Sequence, residues 1–384
     1  MGEVITGVDW QGVTGVDWQG GDYWCGLMGW LPVWNVRLEK MLETKNMSSE
    51  ELQQEEDDQT QPPPKIRKNQ LVDSIYKALF VVGSGLLVII AARNSITWHC
   101  QRFWGASGDF WQRQWDKAYL LFGENDAMIG ILGTLLWTMG VFWLANLFLM
   151  VLDVTGQPSF LMKYKIQRNT GLLPLSKLWT AVRVVLFNQI FINIPFVIIT
   201  FILMSKRGCD IKGDLPTFQW VVFELIIFSL VEEICFYYSH RCLHHPRIYK
   251  YIHKCHHEWT SPIGITSIYA HPLEHLLSNM IPPGLGPLLM GSHLATGWMW
   301  FALALVSTTI AHCGYHFPLL PSPEAHDFHH LKFNQNYGVL GVLDRLHGTD
   351  MLFRKSRAYQ RHILLTGLTP VSQQFPDSPS KKPQ

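Results

Sequence analysis

Residues 218–258 read FQWVVFELIIFSLVEEICFYYSHRCLHHPRIYKYIHKCHHE. The first part, Phe218–Tyr238, is apolar over roughly the 20 residues a helix needs to cross the hydrocarbon of a bilayer. It runs without a break into His240-Arg-Cys-Leu-His244-His245 and then His253-Lys-Cys-His256-His257. Residues i, i+3 and i+4 share one helix face, so each cluster is expected to present its imidazoles together. Pro246 is expected to stop the helix that carries His240 and His244. A membrane helix that ends in ligand-type side chains predicts metal chemistry at one face of the membrane.

Three more apolar stretches of spanning length precede this one, Ile75–Ala92, Ala127–Leu152 and Trp179–Met204. A fifth region, Leu276–Ile310, is interrupted by Pro282-Pro283-Gly284 and Pro287 and reads as a bent or re-entrant hairpin. Only 16% of the 384 residues are charged, against about 25% in soluble chains. The expected fold is therefore an all-α membrane protein. It has about four transmembrane helices, a re-entrant hairpin and a cytosolic, helical, His-rich cap. A net charge of +1 gives no basic excess to meet phosphates and excludes nucleic acid as a partner. Seven cysteines without a C-x-x-C pair suit neither a disulfide framework nor a thiolate zinc site.

Fourteen of the 17 histidines lie between His240 and His330. Besides the two clusters above there is His326-Asp-Phe-His329-His330, and His312-Cys-Gly-Tyr-His316 closes the hairpin. Together these supply eleven imidazoles: His240, His244, His245, His253, His256, His257, His312, His316, His326, His329 and His330. One zinc takes three or four ligands, so eleven points to two ions, held mainly by the set without His245 and His316. Imidazole suits iron, zinc, copper and nickel alike; zinc has no redox chemistry, whereas iron can activate O2. Two iron ions are the expected cofactors, with zinc able to replace them in purified protein because it binds nitrogen sites more tightly than ferrous iron. His271 stands as a further ligand or as a group that orients one, while Glu232 and Glu233 are expected to orient ligating imidazoles. Asn188, Gln189 and Asn193 are expected to make interhelical hydrogen bonds. Asp344-Arg345 reads as a salt-bridged turn.

The three boxes, their order and their place after apolar spans resemble the sterol desaturase/fatty acid hydroxylase superfamily. Glu232–Glu258, YAHPLE at 269–274, HDFHH at 326–330 and LDRLHGTD at 343–350 are similar to the C4-methylsterol monooxygenases. The resemblance covers roughly 175–355. It implies a helical membrane fold, a dinuclear iron centre facing the cytosol, O2 as co-substrate, and electrons from cytochrome b5 or an NAD(P)H-dependent reductase. No fused cytochrome b5 domain is legible, which tilts the implied substrate toward a sterol C4-methyl group. Phe236 and Ala325 stand where those enzymes often have His, His316 where they have Asp, and Leu343 and His347 where they have Trp and Phe. A fatty acyl or sphingolipid hydroxylase is the rival within enzymes, and a metal-stabilised scaffold the rival outside them. A transporter ranks last, because its ionisable groups would line several spans.

The chain is thus expected to comprise a tail at 1–70, a first transmembrane pair at 71–174, the catalytic domain at 175–355 and a C-terminal tail at 356–384. The first tail holds a twofold TGVDWQG repeat and an acidic, Pro-rich segment, too polar to fold alone. Basic residues at Lys65–Lys68 place both termini and the boxes on the cytosolic side. Lys381-Lys382 matches a retrieval signal of the endoplasmic reticulum membrane, a receptor-read address.

Overall fold

The structure, a computed structural model, describes residues 68–377. The N-terminal repeat, the acidic segment and the terminal dilysine lie outside the described residues. The chain divides into a unit ending at Arg93 and a second running from Asn94. All named elements are helices, and an isolated bridge between Lys165 and Tyr315 supplies the β pairing among the described residues.

The principal helices are α1 Lys68–Leu121, α2 Met128–Thr155 and α3 Leu175–Arg207. They are followed by α4 Phe218–Leu243, α5 over 272–290 and α6 Leu294–His312. Two short cap helices are α7 Glu324–Lys332 and α8 Val342–His347. Four segments are long and apolar enough to cross a membrane: Ile75–Arg93 within α1, α2, α3 and α6. Large apolar side chains on α2 and α3, such as Leu144, Phe148, Phe191 and Ile199, face outward. Helices that satisfy their own backbone and expose apolar flanks are built for lipid. The chain is a multi-pass membrane protein.

The fourth expected span differs from this set. Phe218–Tyr238 does form a helix, but Glu224, Glu232 and Glu233 set it apart from the four apolar segments, and α6 takes its place among them. The hairpin of α5 and α6 is also deep. Ser278 at one end of α5 bonds Ser239 of α4, and Ser292, at the turn, bonds Glu224. Fifteen residues of α4 separate those contacts, roughly 22 Å of helix at 1.5 Å per residue. The prolines permit this depth because Pro282 and Pro283 fall in the first turn of Ile281–Met290, where a missing N–H costs nothing. A π-helical turn over His275–Met280 precedes them.

Close packing of α5 on α4 needs small residues. A Cβ on Gly286 would stand 2.9 Å from the Cα of Phe228. Three amides tie the remaining elements together. Asn188 donates to the carbonyls of Ile268 and Ala270 (3.0 and 2.9 Å), Gln189 accepts from Trp143, and Asn193 meets His275 at 2.7 Å. The loop that carries Trp259, Ile265 and Tyr269 packs on Phe142, Ala181 and Val185 of α2 and α3. The C-terminal segment is folded back as far as residue 377 rather than free. Arg361 bonds the Phe375 carbonyl and Asp377, and Leu319 N–H donates to Leu365.

Gly286→Ala is expected to lower stability by about 1–3 kcal/mol, the usual cost of overpacking, because backbone must move to admit the methyl. The thermal midpoint of detergent-purified protein checks this; Gly140→Ala on α2, where a Cβ meets nothing within 4 Å, is expected to be neutral.

Candidate metal centre

Two largely buried groups of histidines form where the C-terminal ends of α4 and α6 meet the cap. The first comprises His240, His244, His253, His257 and His329, the second His256, His312, His326 and His330, and in each group the ligand-type nitrogens all lie within 4.8 Å of one another. In the first, Nε2 of His253 is 2.8 Å from Nε2 of His244 and 3.0 Å from that of His257, and Nε2 of His329 is 3.1 Å from that of His257. In the second, Nε2 of His326 is 2.9 Å and Nε2 of His256 3.4 Å from that of His312.

The opposite ring nitrogens explain why these Nε2 atoms face each other. Nδ1–H of His240 donates to Tyr337 O at 2.8 Å, that of His256 to Tyr269 O at 3.0 Å and that of His312 to Thr308 O at 2.8 Å. His329 and His330 donate likewise to Gln335 O and Trp259 O, at 2.6 and 3.0 Å. A carbonyl accepts only, so these rings carry their proton on Nδ1 and present a bare Nε2 lone pair inward. Converging lone pairs repel unless a cation sits among them. His330 Nε2 is buried without any partner, an orphan of the kind a metal bond would satisfy. Burial drives the His256 pKa down to about 4 against the opposing Tyr269 carbonyl; burial, with neighbouring imidazoles adding to it, holds His253, His326, His329 and His330 well below the usual imidazole value. The rings are neutral at physiological pH, the form that binds metal. The two clusters fit a dinuclear site.

The sorting between groups follows i, i+4 spacing. His240/His244, His253/His257 and His326/His330 each share a group, while the i+3 members His256 and His329 cross to the other. The expectation that each box projects as one set is therefore corrected. On a helix the i+3 and i+4 side chains diverge by about 100°, and His256 and His257 moreover sit in a 3-10 turn. Two of the eleven expected ligands stand apart. His245 is exposed and uses Nδ1 to accept from Arg247 N–H at 3.3 Å, capping the next turn. α6 ends at His312 and Gly314 turns with φ +73°, so His316 has no shared helix face. It is buried between Glu324 Oε1 at 3.4 Å and the Ile363 carbonyl at 3.0 Å. His271 likewise spends Nδ1 on the amide of Leu273 at 3.2 Å.

The carboxylates behave unequally. Glu233 accepts from the amides of Leu340 and Leu343 at 2.7 and 3.0 Å, and Asp344 from those of Tyr337 and Gly338 at 2.8 and 2.7 Å. Together they fix the loop whose Tyr337 carbonyl orients His240. Arg345 pairs with Asp350 rather than with Asp344. Glu232 bonds no imidazole among the described residues; it lines a cavity. Glu274 was missed: its Oε1 lies 2.8 Å from Nδ1 of His253, both buried. It ends the YAHPLE run, and a carboxylate within a histidine-bearing apolar segment was the available signal. Phe333, at φ +66°, closes α7 and lays its ring 4.9 Å from that of His257.

A cavity of about 430 Å³ runs beside this centre, lined by Phe196, Phe236, Phe301 and Met280 and reaching His312 and His326 of the four-imidazole group. Two histidine clusters at helix ends, one of them reached by a largely apolar cavity, within a membrane fold fit a membrane-bound oxidoreductase. A family model described as fatty acid hydroxylase matches residues 225–349, and the chain belongs to the fatty acid hydroxylase family. Among its relatives, fatty acid hydroxylase domain-containing protein 2 of Homo sapiens is 53% identical over 310 residues, 80% of this chain and 93% of that one. Methylsterol monooxygenase 2-2 of Arabidopsis thaliana is 32% identical, covering 64% of this chain and 94% of its own. Fatty acid hydroxylase ahd1 of Mycosarcoma maydis is 39% identical over 53% of each chain. No solved structure matches.

Glu274→Gln is expected to weaken metal retention about 10- to 100-fold, the usual cost of losing a partner behind a ligating imidazole. Chelator competition on purified protein reads this. His245→Ala, at the exposed cap, is expected to leave retention unchanged.

Proposed function

We propose that the chain is a di-iron, O2-dependent lipid hydroxylase of the endoplasmic reticulum membrane that oxidises a sterol C4-methyl group. The observation that carries the reading is the cavity that brings an apolar substrate to His312 and His326. The nine clustered histidines would hold the ions; when bound, a pair of irons supplies the redox chemistry that inserts one oxygen atom into a C–H bond. The protein's own part is to hold and shield. Carbonyls of Tyr337, Tyr269, Thr308, Gln335 and Trp259 keep five rings in one tautomer. The apolar walls exclude water that would compete at the centre, and Phe196, Phe236 and Phe301 give the substrate flat faces to pack on.

A sterol is favoured by the aromatic faces that line this space and by a methylsterol monooxygenase among the relatives. Fatty acyl hydroxylation is the second reading, supported by the family description and by the Mycosarcoma relative. One turnover consumes O2, two electrons and two protons and yields the alcohol and water. An external one-electron carrier, cytochrome b5 or a reductase acting through it, belongs to the proposal. So does a cytosolic orientation of the cap.

His256→Ala is expected to abolish lipid oxidation, at least about 100-fold by analogy with other single-group losses at catalytic centres, while expression and membrane insertion persist. Product per folded protein, with cytochrome b5 and its reductase supplied and 4-methylsterols or fatty acyl lipids offered in parallel, is the readout. Equal product from both proteins contradicts the catalytic role. Product from acyl lipids alone replaces the sterol by the second reading.

A further inference from the structure

The two histidine groups differ in what reaches them. The cavity touches His312 and His326 of the four-imidazole group and no member of the five-imidazole group. The five-imidazole group instead approaches the outer surface. Each group has one half-buried member, but His326 lines the cavity whereas His244 does not; the ring of Tyr249 stacks on His244 at 5.6 Å, and Phe333 stands 6.4 Å from Tyr249.

The segment over this group is strongly basic. Between Glu233 and Glu258 the chain contains no acidic residue but has Arg241, Arg247, Lys250 and Lys254. All four are exposed, as is Lys332 beside Phe333. None of these five cations takes part in an ion pair among the described residues. Glu233 is buried on backbone amides, and Glu258, exposed at the end of the segment, offsets one of its four cations, so Arg241–Glu258 keeps a net positive charge. Arg241, Arg247, Lys250 and Lys254 interleave along the chain with His244, His253 and His257, and such an excess of exposed positive charge raises the local potential and steers anionic partners toward it.

We propose that this basic face, Arg241 to Lys254 with Lys332, is the docking surface for an acidic one-electron carrier protein. Electrons would then enter at the five-imidazole group while the lipid is oxidised at the four-imidazole group. The inference rests on the oxygenase reading above, which requires two electrons per turnover from outside the chain. An acidic protein fits better than anionic lipid headgroups. A segment that lies in the interface alternates its cations with buried apolar residues, and over 241–254 the exposed large apolar side chain is Tyr251 alone. The ring of Tyr251 is itself under the ammonium of Lys250, 4.6 Å from the centroid.

The test uses full-length protein in phosphatidylcholine nanodiscs and the soluble haem domain of cytochrome b5 as the acidic carrier. Lys250→Glu/Lys254→Glu is expected to slow association at least about tenfold, as charge reversal at an electrostatic rim acts on the on-rate. It should also flatten the salt dependence. Lys250→Gln/Lys254→Gln is expected to fall between, with metal content equal to wild type in both. Product formation driven by dithionite in place of the carrier is expected to be unchanged. That arm separates the two ideas, since a failed oxygenase reading gives no product with either reductant while association is still measured. Association that is indifferent to both substitutions overturns the docking surface. So does an effect that arises only when phosphatidylserine is present in the discs, which would assign the face to lipid.

Discussion

Everything in this fold answers to one electrostatic constraint, the convergence of nine imidazoles, seven buried and two half-buried, on two points. Each ring whose Nδ1–H is given to a carbonyl must present a lone pair inward, and lone pairs gathered within hydrogen-bonding distance of one another are unfavourable without positive charge between them. The pattern pervades the centre: five rings are fixed by backbone carbonyls, a sixth, His253, faces Glu274, and His330 Nε2 has no partner. A core of apolar side chains would fill the same space at less cost. Retaining nine histidines there is an arrangement that metal binding explains and packing does not.

The helices exist to carry those rings to one level. α4 and α6 both end in ligand-type histidines, and parallel ends require α5 to run back between them. This is why the Pro-rich hairpin is deep. Gly286 lets α5 close on α4, Asn188 clamps the loop that presents Tyr269, and Glu233 with Asp344 secures the loop that presents Tyr337. Polar groups within the apolar layer thus act at a distance, by fixing carbonyls that in turn fix imidazoles. The centre is also lopsided: the cavity reaches the four-imidazole group alone, and four exposed cations lie along the segment that carries most of the other.

Much of this was legible from the chain. The apolar runs gave a helical membrane protein, and the i, i+4 spacing with the surplus of imidazoles gave two ions rather than one. The grouping was not legible, because it depends on a 3-10 turn at His256–Glu258 and on the left-handed Gly314 that detaches His316 from α6. Nor were the roles of adjacent carboxylates: Glu232 and Glu233 are one residue apart, yet 100° of helix sends one into the cavity and the other onto backbone amides. Glu274 and Asp344 act on residues distant in sequence, His253 and Tyr337, and only the folded chain brings those partners together. Phe218–Tyr238 has the apolar length of a span, but Glu224 accepts from Ser292, Glu233 from backbone amides, and Glu232 lines the cavity.

Metal stoichiometry and ligand type, measured together on full-length protein expressed with iron supplementation, test the central claim most directly. Elemental analysis is expected to give close to two metal ions per chain. X-ray absorption is expected to show a nitrogen-dominated coordination sphere without sulfur. A preparation that is folded and holds one ion or none, or whose metal is bound by sulfur, contradicts the dinuclear imidazole centre on which the fold is built.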